Sequence, residues 1–80
     1  MLALTARAAD ALRTADAAAR RFNPDARLRL RAADGGVSAD LVTAPEDGES
    51  LVVVDGIELI VPDGMSGTVD AGDHNAFSFV

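Results

Sequence analysis

The stretch that decides the fold is Leu51-Val52-Val53-Val54-Asp55-Gly56-Ile57-Glu58-Leu59-Ile60-Val61, two apolar runs separated by Asp-Gly. Asp-Gly accepts the positive φ angles of a type I′ turn, whose twist matches that of two paired strands, so the stretch predicts a β-hairpin. Its register follows from the two-residue turn. Val54 faces Ile57, Val53 faces Glu58 and Val52 faces Leu59. Val52, Val54, Ile57, Leu59 and Val61 are then expected on one buried face, with Glu58 on the other.

Reading outward, Met1–Leu4 is a short apolar strand and Thr5 an N-cap whose hydroxyl can accept a free backbone N–H. A helix is predicted from Ala6 to about Arg21, with Ala8, Leu12, Ala15, Ala19 and Phe22 along one apolar face and Arg7, Asp10, Arg13 and Arg20 in solvent. Asn23-Pro24 ends it, because Pro has no N–H and disfavours helical geometry in the residue before it. Residues 26–32 alternate with period two, placing Leu28 and Leu30 inward and Arg27, Arg29 and Arg31 outward. Asp34-Gly35-Gly36 is a turn, after which Val37, Ala39 and Leu41 share one side of a strand over 37–42, making a second hairpin. Residues 45–49 and 62–67 read as polar loops and Thr68–Ala71 as a short strand. Phe77 and Phe79 share a face of a last strand and are expected in the core.

Eighty residues make a single domain, 1–80, with a small core and no deep catalytic cleft. A hydrophobic content of 49% is too high for disorder, and no apolar run approaches the roughly 20 residues of a membrane span. The N-terminus does not read as a signal peptide, so the expected location is cytoplasmic. The chain has no Cys, which removes thiolate metal sites and thiol nucleophiles. Residues 1–31 hold all seven Arg against three Asp, net +4, whereas residues 32–80 hold ten acids and no cation, net −10. Two oppositely charged halves of one small fold attract and solvate it. The acidic total, with no aromatic residue among the Arg of 27–31, speaks against nucleic-acid binding.

The order of these elements carries a resemblance. Leu2-Ala3-Leu4-Thr5 leading into an Ala-rich helix, Leu28-Arg29-Leu30 before Gly35-Gly36, the Leu51–Val61 hairpin and the terminal Asn75-Ala76-Phe77-Ser78-Phe79 together resemble the HesB/IscA-like A-type iron–sulfur carriers. The resemblance implies a compact, mainly β (α+β) fold, a HesB-like sandwich or pseudobarrel with one N-terminal helix. It also implies a first ligand Cys after the glycine turn and a Cys-Gly-Cys pair after the terminal strand. Val37 stands at the first position, the chain reaches Val80 without the pair, and the segment from Val61 to Thr68 is shorter than the family's helical connector.

Iron–sulfur clusters need soft thiolates, so no cluster and no other cofactor is expected. The one oxygen and nitrogen cluster worth weighing for a divalent metal is Asp63, Asp70, Asp73, His74 and Asn75, with Asp70, Asp73 and His74 as the candidate ligands; its spacing fits no known metal loop, and a solvated loop is the competing reading. With one His and no Cys, Tyr or Lys, and no nucleophile-elbow Ser, the residues do not assemble an active site. The expected function is that of a non-catalytic relative of the carriers acting through protein contacts. The alternatives are a metal-binding protein using Asp70, Asp73 and His74, and an acidic interaction module unrelated to iron–sulfur biogenesis. Phe77 and Phe79 at a strand edge also lead to the expectation of a homodimer.

Overall fold

The computed structural model describes residues 1–33, 36–72 and 76–80. The order is β1 (Leu2–Leu4), α1 (Ala6–Phe22), β2 (Arg27–Ala33), β3 (Gly36–Val42), β4 (Glu49–Val54), β5 (Ile57–Pro62), β6 (Gly67–Ala71) and β7 (Phe77–Phe79). The strands form one sheet in the order β1-β6-β7-β3-β2-β5-β4, curled until its two end strands, β1 and β4, approach each other as a nearly closed barrel. The β1–β6 and β2–β5 pairs are parallel and the others antiparallel. The fold is mainly β with one helix, as the sequence predicts.

The deciding hairpin has the expected register: Val54 pairs with Ile57, Val53 with Glu58 and Val52 with Leu59. Asp55 and Gly56 have φ of 51° and 78°, the pair of positive angles a type I′ turn requires. Ile57, Leu59 and Val61 are buried, whereas Val52 and Val54 are only half-buried because β4 is an end strand with a partner on one side. Alternation puts Ile60 outside the core, on the same outer face as Glu58, yet it is only 1% exposed. It lies in register with Arg29 of β2 and Leu51 of β4, in a strand that has neighbours on both sides.

Thr5 caps α1 as predicted, its Oγ1 accepting from the Ala8 N–H at 3.2 Å, and Asn23 closes the other end with its N–H donating to the Ala19 carbonyl at 3.0 Å. The helix lies across the inner face of the sheet against β6, β2 and β5. Its buried stripe is narrower than predicted and turned toward Ala9: Ala8, Ala9, Leu12 and Ala19 are covered, but Ala15 is exposed and Phe22 is 93% exposed. Helical spacing defines a face, and the sheet beneath this helix reaches only part of it. The C-terminal aromatics are corrected likewise. Phe77 packs half-buried against the core, while Phe79, the last residue of a three-residue strand, remains 39% exposed.

The largest departure is Arg29. Alternation sends it outward with Arg27 and Arg31, as expected, but it is 8% exposed rather than solvated. Pairing of Ala33 with Gly36 sets Arg29 opposite Asp40. The guanidinium Nε donates to Asp40 Oδ1 at 3.0 Å and Nη2 donates to Asp40 Oδ2, while Nη1 comes within 3.7 Å of Glu46 and 4.0 Å of Glu49. Arg31 reaches the same two glutamates at 3.4 and 3.6 Å, and Arg27 pairs with Glu58 at 2.9 Å. The basic first segment and the acidic remainder thus neutralise each other on the outer face of the sheet.

The hydrogen bonds from Arg29 hold the Asp40 carboxyl below the ordinary carboxylate range. A carboxylate with a depressed folded-state pKa stabilises above its unfolded value, about 3.9, and loses that contribution as pH falls through the lowered value. Because Asp40 is half in water, the pair is worth only about 0.5–1 kcal/mol. Urea unfolding is expected to show Asp40→Asn less stable than the parent by that margin at neutral pH, the two converging in more acid solution. A constant difference down to full protonation would show that the charge is not responsible.

Candidate functional site

Val37, where the resemblance expects the first ligand, is the second residue of β3 and lies in register with Ala32 of β2 on one side and Phe77 of β7 on the other. The fold therefore does bring the start of β3 beside the C-terminal strand, the two regions from which the expected ligands would come. What it brings together there is apolar. Val37 is 7% exposed within the hydrophobic core, and the chain has no Cys. A valine side chain offers no lone pair, so the residues present do not fit an iron–sulfur cluster.

Of the metal candidates, Asp73 and His74 lie outside the described residues. Asp70 sits on β6 opposite Ser78, and its carboxylate accepts a hydrogen bond from Thr5 Oγ1 at 2.6 Å. That hydroxyl, then the backbone N–H of Ala71 and the charge of Arg7, hold its pKa below the ordinary value. Thr5 thus joins the start of α1 to β6 through its side chain and through its own N–H, which donates to the Val69 carbonyl at 2.9 Å. Asp70 is engaged in fixing the helix to the sheet. Among the described residues no group of three or more His, Asp or Glu is placed to hold a metal ion.

An open groove of about 1180 Å³ lies between α1 and β3. Ala15 and Phe22 of the helix form one wall, Ala39 and Leu41 of the strand the other, and Leu28 and Phe77 line it between them. This explains the exposed half of the predicted helix stripe. It also explains why Leu41, on the apolar side of β3, is 55% exposed: α1 does not extend over that end of the strand. The periodicities of both walls were legible in the sequence, but only the packing of α1 on β6, β2 and β5 determines that the two rows face each other across a gap.

This fold is similar to that of a solved protein of iron–sulfur cluster biosynthesis. That protein is Escherichia coli SufA, described as involved in biosynthesis of iron–sulfur clusters; its crystal structure superimposes with a TM-score of 0.66 and 29% sequence identity, covering 99% of this chain and 83% of SufA. No family model matches the chain, and no curated protein matches it. None of the described helices is long and apolar enough to cross a membrane.

Proposed function

We propose that the protein is a non-catalytic relative of the A-type iron–sulfur carriers that does not ligate a cluster and acts through contacts with other proteins. The observation that carries this reading is the shared frame: a SufA-like fold over 99% of the chain, with Val37 packed at the first expected ligand position and no Cys anywhere in the sequence. Loss of soft donors removes affinity for iron and sulfide while leaving the surfaces of the fold intact.

Anaerobic reconstitution with ferrous iron and sulfide, followed by desalting, tests it. The expected product is colourless and carries neither iron nor sulfide. Stoichiometric retention of both would overturn the reading, and retention of a divalent metal that disappears on His74→Ala would replace it with a metal-binding role.

A further inference from the structure

We propose that β4 pairs antiparallel with β4 of a second copy of the chain, edge to edge about a two-fold axis at Leu51. This pairing is independent of whether a cluster is bound. The sequence of β4 is that of an inner strand, yet its place is at the end of the sheet. Leu51-Val52-Val53-Val54 is apolar on both faces, the pattern of a strand with neighbours on either side, whereas β4 pairs with β5 alone. On the outer face Leu51, level with Ile60, is left 49% exposed and Val53, level with Glu58, 67% exposed. The other end strand does not cover them. Among the described residues no backbone hydrogen bond joins β1 to β4, and a cleft of about 680 Å³ lined by Leu2, Leu4, Val52 and Val54 lies between the two. β7, where the sequence places an open edge, has β6 on one side and β3 on the other.

The turn fixes which backbone groups of β4 are free. In a two-residue hairpin the residues flanking the turn, Val54 and Ile57, exchange hydrogen bonds, and every second pair along the ladder does the same. Further along that series the Asp63 N–H donates to the Gly48 carbonyl at 2.7 Å, and Pro62, which has no N–H to give, sits opposite Glu49 where none is needed. Glu49, Leu51 and Val53 therefore turn their N–H and C=O groups to the open edge. No Lys, Pro or bulge in β4 blocks it. A second β4 is its complement. About an axis at Leu51 the two Leu51 residues face each other and each Glu49 faces Val53 of the other copy, so all three residues find both of their bonds. The outer face then carries an unbroken apolar row, with the two Leu51 side chains between the two Ile60. Sliding the copies until Leu51 meets Val53 would set Glu49 against Asp55 of the other copy, so the acids select the register. The joint uses the β4 edge of both copies and closes at two. A net charge of −6 on each copy opposes it, and one strand pair is a small interface, so a dimer of about micromolar affinity or weaker is expected, tightening as salt screens the repulsion.

Sedimentation of the full chain from about 1 μM to about 1 mM is expected to show a monomer–dimer equilibrium that added salt shifts toward the dimer. Leu51→Lys and Val53→Pro are each expected to weaken it about tenfold or more, the lysine variant even though it lowers the like-charge repulsion. Both sites are exposed and their N–H groups point outward, so melting of the dilute variants is expected to stay close to that of the parent. Should the proline variant fail to fold, Val53→Lys provides the comparison. Because the chain has no Cys, Leu51→Cys introduces a single thiol, and the Cα atoms of two directly opposed residues, about 5.5 Å apart, are within disulfide range. Mild oxidation is expected to join copies of Leu51→Cys and to leave Phe22→Cys, on the exposed helix face, monomeric. One monomer-sized species at every concentration would overturn the proposal. So would a dimer undiminished by folded edge variants, or crosslinking of Phe22→Cys in preference to Leu51→Cys, which would assign association to the groove between α1 and β3 instead.

Discussion

Leu59→Ala is expected to cost about 2–4 kcal/mol and to lower the melting temperature by about 10–25 °C. Leu59 is 0% exposed, paired with Val52 in the deciding hairpin and with Leu28 across the parallel β2–β5 junction, so truncation leaves a cavity where two ladders meet. Neighbours held by both ladders cannot collapse into it. For a domain of 80 residues the loss is a large share of a total that is typically 5–15 kcal/mol. Calorimetry decides it, and a shift of only a few degrees would mean that the sheet relaxes around the site. Glu58→Ala, one residue away, removes surface contacts to Arg27 and Arg20 and is expected to change stability by under about 1 kcal/mol.

The second large effect separates the helix face predicted by periodicity from the face the sheet covers. Leu12→Ala retains good helix propensity but empties a fully buried position, with an expected cost of about 2–4 kcal/mol in urea unfolding. Phe22→Ala, on the same predicted stripe, is expected to cost less than about 0.5 kcal/mol, because its ring is 93% exposed. Equal costs would mean that Phe22 packs in solution against something that the folded chain alone does not provide.

The contrast between those two residues shows where sequence reasoning reaches its limit. Asp55-Gly56 is a local signal with a single structural solution, so the hairpin and its register could be read directly, as could the Thr5 cap and the Asn23-Pro24 stop. Whether a periodic face is covered depends on what lies opposite it, which is a non-local matter. Ala15, Phe22 and Leu41 are apolar in pattern and exposed in the fold for that reason. Arg29 fails in the opposite direction: strand alternation assigns it a side correctly, but its burial comes from Asp40, Glu46 and Glu49 converging on it. The Asp40 contact could have been read by carrying the pairing back from the glycine turn, since a two-residue connection opposes Arg29 to Asp40. The glutamates arrive by a longer loop that no spacing rule fixes. At the candidate site, the missing thiolates were visible as composition, whereas the adjacency of Val37 and Phe77 required the sheet order.

The parallel pairing of β1 with β6 has a consequence for how the protein is made. Leu2, Ala3 and Leu4 find their partners at Gly67, Thr68 and Val69, and the Thr5–Asp70 bond spans 65 residues. A ribosome delivers β1 and α1 first and the strand that anchors both of them near the end of these eighty residues. Until then α1 has an apolar stripe and no complete floor, and β1 has an unpaired edge. The β2–β3 and β4–β5 hairpins, whose partners are adjacent in the chain, can assemble earlier at a smaller loop-closure cost. Within these eighty residues, then, β1 and α1 carry the longest wait for a partner, and their docking onto β6 closes the longest loop of the sheet.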